Sequence, residues 1–382
     1  MLHCMRILAA ISLTILLLAC SSKDNSEKPA LLPPIEQPIQ LQVRWSVDTD
    51  AADNRALFNL RPLLLGEQLL IVDTVGVIKS IDADTGQENW AFASGLPAIT
   101  GLTGDQQVVV VSSGDGDLAV FDRLANGLNK RWSIQLSGEV RAIPVIDDEQ
   151  LFVRTVAGGL SAVNLVDGSI EWRISRRIPA LSLTGNSPPI IDGNRVIVGF
   201  DDGKLAAFDR GNGQLIWETV ISHATGRTEI ERLVDIDGQF LLKDGIIYVS
   251  TYQGRLAAVQ AISGDVIWSR KFSAYQAIIA DEEALYISGN LSHLWSIDRR
   301  TGSAFWKQDV LQARKITAPQ LLGDKIIVAD LEGYVHCFDE ADGSLQGRVQ
   351  PADARYIAQP VSWQNNVIVF DSRGRLSAIQ PE

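Results

Sequence analysis

The sequence predicts an all-β fold: an eight-bladed β-propeller with four antiparallel strands per blade. Three observations predict it. One unit recurs eight times along the chain, each unit consists of short strand-like runs, and the two chain ends complete one another.

The recurrence is plain in VGVIKSIDADTGQENW (75–90), DGKLAAFDRGNGQLIW (202–217) and LSHLWSIDRRTGSAFW (291–306). The shared turn falls at Gly76, Gly116, Gly158, Gly203, Gly254, Ser292, Gly333 and Gly374, with spacings of 40, 42, 45, 51, 38, 41 and 41 residues. Such a period belongs to propellers and solenoids. The content of each unit selects the propeller: SPPII, RVIVGF, KLAAFD and QLIWETV in one copy read as four strands, β-branched and bounded by Gly, Asp or Asn. No segment after residue 40 sustains a helical period. The tryptophan that closes most units is bulky and carries one donor, which suits packing between blades.

The ends explain themselves in the same terms. The eighth unit, RGRLSAIQPE, stops after three strands, and the missing Trp-bearing strand stands at the other end as LQVRWSV, Leu41 to Val47. Its addition to the last blade closes the ring and removes an open sheet edge.

Ahead of the propeller, residues 1–19 read as a lipoprotein signal peptide: Arg6 is followed by an apolar run, Ile7 to Leu18, too short to span a bilayer as a helix. Leu17-Leu18-Ala19-Cys20 resembles a bacterial lipobox, which implies cleavage before Cys20, lipidation of its thiol, and exposure to the periplasm. Ser21 in the next position favours the outer membrane as the anchoring site. Residues 20–40 then read as the lipidated cysteine and a proline-bearing flexible tether, with a reach of roughly 50–60 Å if mostly extended. Residues 41–382 are the propeller.

Composition excludes several functions. With 46 acidic against 34 basic residues, a formal net charge of −12, and no basic run, nucleic acid is not a partner. Asp82 with Asp84 and Asp115 with Asp117 have carboxylate spacing but lack the further ligands of a calcium loop; recurring in each unit, such aspartates read as turn caps. His223, His293 and His336 fall in different units without metal-ligand spacing. Cys337 stands where other units have small core residues. No metal, cofactor or catalytic residue is expected.

The D-x-x-T-G-x-x-x-W pattern, clearest at SIDADTGQENW and SIDRRTGSAFW, resembles the repeats of pyrroloquinoline-quinone-dependent dehydrogenases. A quinoprotein enzyme is therefore the alternative reading. Those enzymes typically carry a vicinal cysteine pair, and here Cys337 is the sole cysteine after Cys20, with no C-x-x-C-H motif. The whole chain, including PALSLTGNSPP and ISHATGRTEIERLVDID, resembles the BamB family of outer-membrane assembly lipoproteins. That resemblance implies a non-enzymatic scaffold of the β-barrel assembly machinery, bound to the periplasmic (POTRA) domains of BamA and assisting insertion of outer-membrane β-barrels. Contact with unfolded outer-membrane proteins is a further implication.

The same resemblance points to two long connections between blades. From Trp172 to Pro188 there are 16 residues and from Trp217 to Phe240 there are 23, against nine from Trp268 to Ala277. Both leave consecutive blades on one face and should be neighbours. Leu181, Leu183, Thr184, Asp235 and Asp237 within them match the family's BamA-docking positions, with the leucines forming an apolar centre and the acids a charged rim. The family often has arginine where this chain has Thr184, and Arg176 or Arg177 is the candidate replacement.

Overall fold

The computed structural model describes residues 27–51, 60–179, 181–183 and 187–382. Eight four-stranded antiparallel sheets follow one another along the chain, seven of them built from consecutive strands. The fourth blade shows the common plan: Ile190–Asp192, Arg195–Gly199, Lys204–Asp209 and Leu215–Val220 lie side by side from the axis outward. Middle strands are buried on both faces, as Val196, Ile197 and Val198 show, because each blade is sandwiched between two others. The outer strand is half-exposed and carries a bulge at Ile216, so that Trp217 is buried while Leu215 and Ile216 are both exposed.

The eighth sheet joins the two ends of the chain. Leu41–Asp48 lies outside Arg375–Pro381, pairing Leu41 with Pro381 and Asp48 with Arg375 around a bulge between Val43 and Trp45. Trp45 is half-buried and donates from its indole nitrogen to the Ala83 carbonyl of the first blade at 3.2 Å.

That contact recurs around the ring. Trp132, Trp172, Trp217, Trp268 and Trp306 donate to Leu165, Arg210, Ala261, Arg299 and Glu340 of the following blade, at 2.7 to 3.1 Å. Each ring lies on a glycine of that turn; a Cβ on Gly302 would come within 2.6 Å of the Trp268 ring. The D-x-x-T-G signature is thus a socket for the preceding blade's tryptophan. Its aspartate caps the turn, as when Asp82 accepts from the Asp84 and Thr85 amides at 3.1 and 2.8 Å.

Antiparallel order fixes two faces. The turns at the repeated glycines and the connections to the next blade share one, termed here the connection face. The remaining hairpins occupy the other, the hairpin face.

Residues 27–40, expected as tether, are laid against the propeller. The Ala30 amide donates to Gln312, Arg314 to the Ala30 carbonyl, Arg348 to the Pro33 carbonyl, and the Ile39 amide to Gln346, all at 2.8 to 2.9 Å. Leu32 packs into the core between the sixth and seventh blades. The seventh unit has Gly347 where others have tryptophan, and a Cβ there would meet the Ile39 carbonyl at 2.7 Å. The segment therefore runs where a tryptophan would otherwise stand. Residues 1–26, with the expected signal peptide and lipidation site at Cys20, lie outside the described residues.

Candidate partner-docking surface

The connection from the third blade runs over 176–189 and that from the fourth over 221–240, both on the connection face. They are neighbours, as their lengths and positions require. The Leu183 amide donates to Asp235 Oδ1 at 2.7 Å, joining residues 52 apart in sequence.

The second connection is held from beneath. Val234, Asp235 and Ile236 are buried in succession. Ile236 enters the core between the fourth and fifth blades and approaches Gly199 so closely that a Cβ there would lie 2.2 Å from its side chain. Its amide donates to Phe200 at 3.2 Å, and the Tyr252 amide donates to the Asp235 carbonyl at 3.0 Å. At the outer end, a single 3₁₀ turn, Ile230–Arg232, closes on itself: Glu231 accepts from the Arg227 amide at 2.6 Å and donates its own amide to Thr228 Oγ1 at 3.2 Å.

Asp235 is not the rim charge expected from the sequence. Its side chain and backbone are 0% exposed, and its Oδ2 has no hydrogen-bond partner among the described residues. Burial pushes its carboxyl up to about 6, the Leu183 amide opposes that, and the charge of Asp201 adds to it. Asp201 is itself paired with Arg154 at 2.5 Å, both 4% exposed. The physical reason for the misplacement is that Val234 and Ile236 dive into the core and carry Asp235 with them. Its carboxylate then serves as a latch for the neighbouring loop. Asp237 follows half-buried, ahead of Gly238, whose Cβ would meet the Gln276 carbonyl at 2.4 Å.

Leu181 is 44% exposed and Leu183 half-buried, so the first presents more of its side chain to solvent. Thr184 lies outside the described residues. Arg176 is not at hand to replace an arginine there: its guanidinium stacks 4.3 Å from the Phe200 ring centre and pairs with Glu218. Arg177 is exposed.

Two apolar residues missed in the sequence join Leu181 on these loops. Ile178 is 49% and Ile230 64% exposed. The readable signal was an aliphatic residue within an otherwise polar connection. Arg232 and Glu229, paired at 3.4 Å, supply charge beside Ile230. At the inner end of the long connection, Gln239 Oε1 accepts from Arg61, which leads into the diametrically opposite blade, at 3.1 Å.

A family model described as "Outer membrane protein assembly factor BamB" matches residues 74–308. A relative bearing that description in Yersinia pestis is 29% identical, covering 96% of both chains. Another, from Legionella pneumophila, is 31% identical, covering 94% of this chain and 92% of its own. Among solved structures, BamB from Moraxella catarrhalis superposes with a TM-score of 0.78 at 22% identity, covering 89% of this chain and all of that one. A europium-containing methanol dehydrogenase shares the fold, with a TM-score of 0.75 at 10% identity, over 89% of this chain and 93% of its own. At those identities the structural likeness speaks for the propeller alone. The family model spans more than half of the sequence and the relatives nearly all of it, and so the chain belongs to the BamB family of outer-membrane protein assembly factors.

Proposed function

We propose that this protein is a non-enzymatic scaffold of the outer-membrane β-barrel assembly machinery, anchored by lipid on Cys20 and facing the periplasm. It docks on the periplasmic domains of BamA through the two long connections. The observation that carries the reading is the latch between Leu183 and Asp235: it orders two loops from consecutive blades into one platform. Ile178, Leu181 and Ile230 form its apolar part, with Arg177, Glu229 and Arg232 around it, which is the anatomy of a docking patch. Leu183 and Asp235 act by shaping this platform, Leu181 by touching the partner, and Asp237 borders it; Thr184, outside the described residues, is carried as a docking position by the family resemblance alone.

The test separates docking from folding. Leu181→Asp with Ile230→Asp places charge on two exposed side chains, so the variant keeps its melting temperature and its acylation. Co-purification with BamA should fall at least about tenfold, as for loss of a central apolar contact. Undiminished co-purification by the folded, acylated variant overturns the assignment. The quinoprotein alternative makes the opposite demand on solution chemistry. Purified protein titrated with pyrroloquinoline quinone and calcium should give no saturable binding, and stoichiometric uptake would reverse the reading.

A further inference from the structure

We propose that the groove between the fifth and sixth blades, on the hairpin face, docks an extended polypeptide segment with an apolar anchor flanked by lysine or arginine. It is a second surface, distinct from the loop platform.

The internal repeat provides the control. In each outer strand, two residues precede the tryptophan. They are Glu88 and Asn89 on the first blade and Lys130 and Arg131 on the second. On three consecutive blades they turn apolar: Leu215 and Ile216, Val266 and Ile267, then Ala304 and Phe305. The large ones are 44 to 56% exposed. The first of the two positions is apolar elsewhere too, as at Val43 and Ile170. The residue directly before the tryptophan, however, is polar on the other blades (Asn89, Arg131, Glu171 and Arg44), so the propeller itself does not require Ile216, Ile267 and Phe305 there. A contiguous apolar edge confined to one sector marks an interaction site.

Between the last two of those strands lies a groove of about 630 Å³, floored by Ile246, Tyr248, Ile267, Trp268 and Phe305. Its lip carries four carboxylates, Asp244, Glu282, Glu283 and Asp298, against two guanidiniums, Arg300 and an Arg299 already paired with Asp244 at 2.6 Å. Glu282 is paired with Lys243 at 2.7 Å; Glu283 makes no ion pair among the described residues. Past Phe305 a second depression, of about 800 Å³, shares Phe305 and Glu283 and adds Asp281 and Glu340. Those two carboxylates meet on one hydroxyl: Tyr286 Oη lies 2.6 Å from Asp281 and 2.9 Å from Glu340. The contact with Asp281 raises the Glu340 carboxyl, whereas Asp281 stays low, at about 2. Neither has a lysine or arginine within ion-pair distance among the described residues. An apolar floor beside unpaired carboxylates suits a cationic, apolar segment.

Charge also selects among occupants. A second copy of this chain, at a net charge of −12, or an anionic bilayer would bring negative charge to an acidic lip. The groove opens between the fifth-blade hairpin at Asp244 and the sixth-blade hairpins at 281–283 and 298–303, on the face opposite the loop platform, so both surfaces can be filled together.

The probe is a fluorescein-labelled peptide, Gly-Lys-Leu-Arg-Phe-Lys-Leu-Gly, with the folded propeller of residues 27–382 as titrant. Two control peptides replace either the basic residues by glutamate or the apolar ones by serine. Fluorescence anisotropy should show binding of the first peptide and at least about tenfold weaker binding of both controls. Ile267→Ser with Phe305→Ser should weaken binding by a similar factor. Glu283→Lys should weaken it and flatten its salt dependence. Leu181→Asp with Ile230→Asp should leave it unchanged, which separates this site from the loop platform. Equal binding by the Ile267→Ser, Phe305→Ser variant overturns the proposal. So does a dimer, or adhesion to phosphatidylethanolamine–phosphatidylglycerol vesicles, that disappears in that variant.

Discussion

Asp235 shows how one buried carboxylate shapes an exposed surface. Its Oδ1 holds the Leu183 amide while its Oδ2 has no partner among the described residues. Burial raises its folded pKa to about 6 from an ordinary 3.8. The sign follows from linkage: a raised acid binds more protons in the folded state, so it does not oppose folding below pH 3.8. The opposition develops between 3.8 and 6 and is complete above 6. Two units set its upper bound at about 3 kcal/mol. Asp201 and Asp237 face the same group, with Arg154 paired to Asp201, so the comparison must be with a single-residue variant. Asp235→Asn keeps an oxygen for Leu183 and removes the titration. It should melt about 2 °C higher than the parent at pH 7.5 and match it near pH 4. Asp235→Ala, by contrast, should speed exchange of the Leu183 amide at either pH. A parent and Asn variant that melt alike across the range would show that burial does not raise the Asp235 carboxyl in the folded loop. The sequence announced Asp235 as one acid among several in a polar loop. What it withheld was that the two flanking aliphatics, Val234 and Ile236, are buried together with Asp235; alternation alone would have put Asp235 on the face opposite them, toward solvent, and only the packing around Gly199 decides.

The docked arm belongs to the scale of elements. Strand order, turn chemistry and the tryptophan sockets were legible because the repeat states them eight times and each exception stands out against the rest. The arm was not legible, since a proline-bearing segment without periodicity has the composition of a linker. One clue did exist: the seventh unit ends SLQG where its neighbours end in tryptophan. Gly347 leaves that site to Ile39, and Leu41 is buried next to it. Restoring the consensus should therefore do harm. Gly347→Trp brings a ring onto the Ile39 carbonyl, and overpacking of that kind costs about 1–3 kcal/mol. The arm should detach, and limited proteolysis should cut between residues 27 and 40 while the rest of the ring resists. A variant as resistant as the parent would mean that the arm does not depend on the missing tryptophan. Arg314 fastens the other end, with Nε on Asp330 and Nη2 on Glu332, both at 2.6 Å, and Nη1 on the Ala30 carbonyl.

A propeller becomes one molecule only when its first and last blades meet, and here that depends on a single strand. Without Leu41–Asp48 the eighth sheet would expose the edge of Arg375–Pro381, the Trp45 socket at Ala83 and Gly86 would empty, and Leu41 would leave the core between the seventh and eighth blades. Each contact serves both neighbours, so the loss falls on the first, seventh and eighth blades together. Removing two large side chains from packed sites and opening a sheet edge should lower stability by about 5 kcal/mol or more. Deletion through residue 48 is therefore expected to lower the unfolding midpoint sharply and to promote association through the open edge. Deletion through residue 26 should leave the midpoint unchanged. A third variant isolates the cause: the strand Leu41–Asp48 joined after Glu382 by a short glycine–serine linker restores the pairing from the other end. It should recover stability, because Leu41 pairs with Pro381 and the new connection has little distance to cover. If the rearranged chain is no more stable than the deletion, the loss lies in the arm and its contacts along the seventh blade. Full recovery assigns it to ring closure.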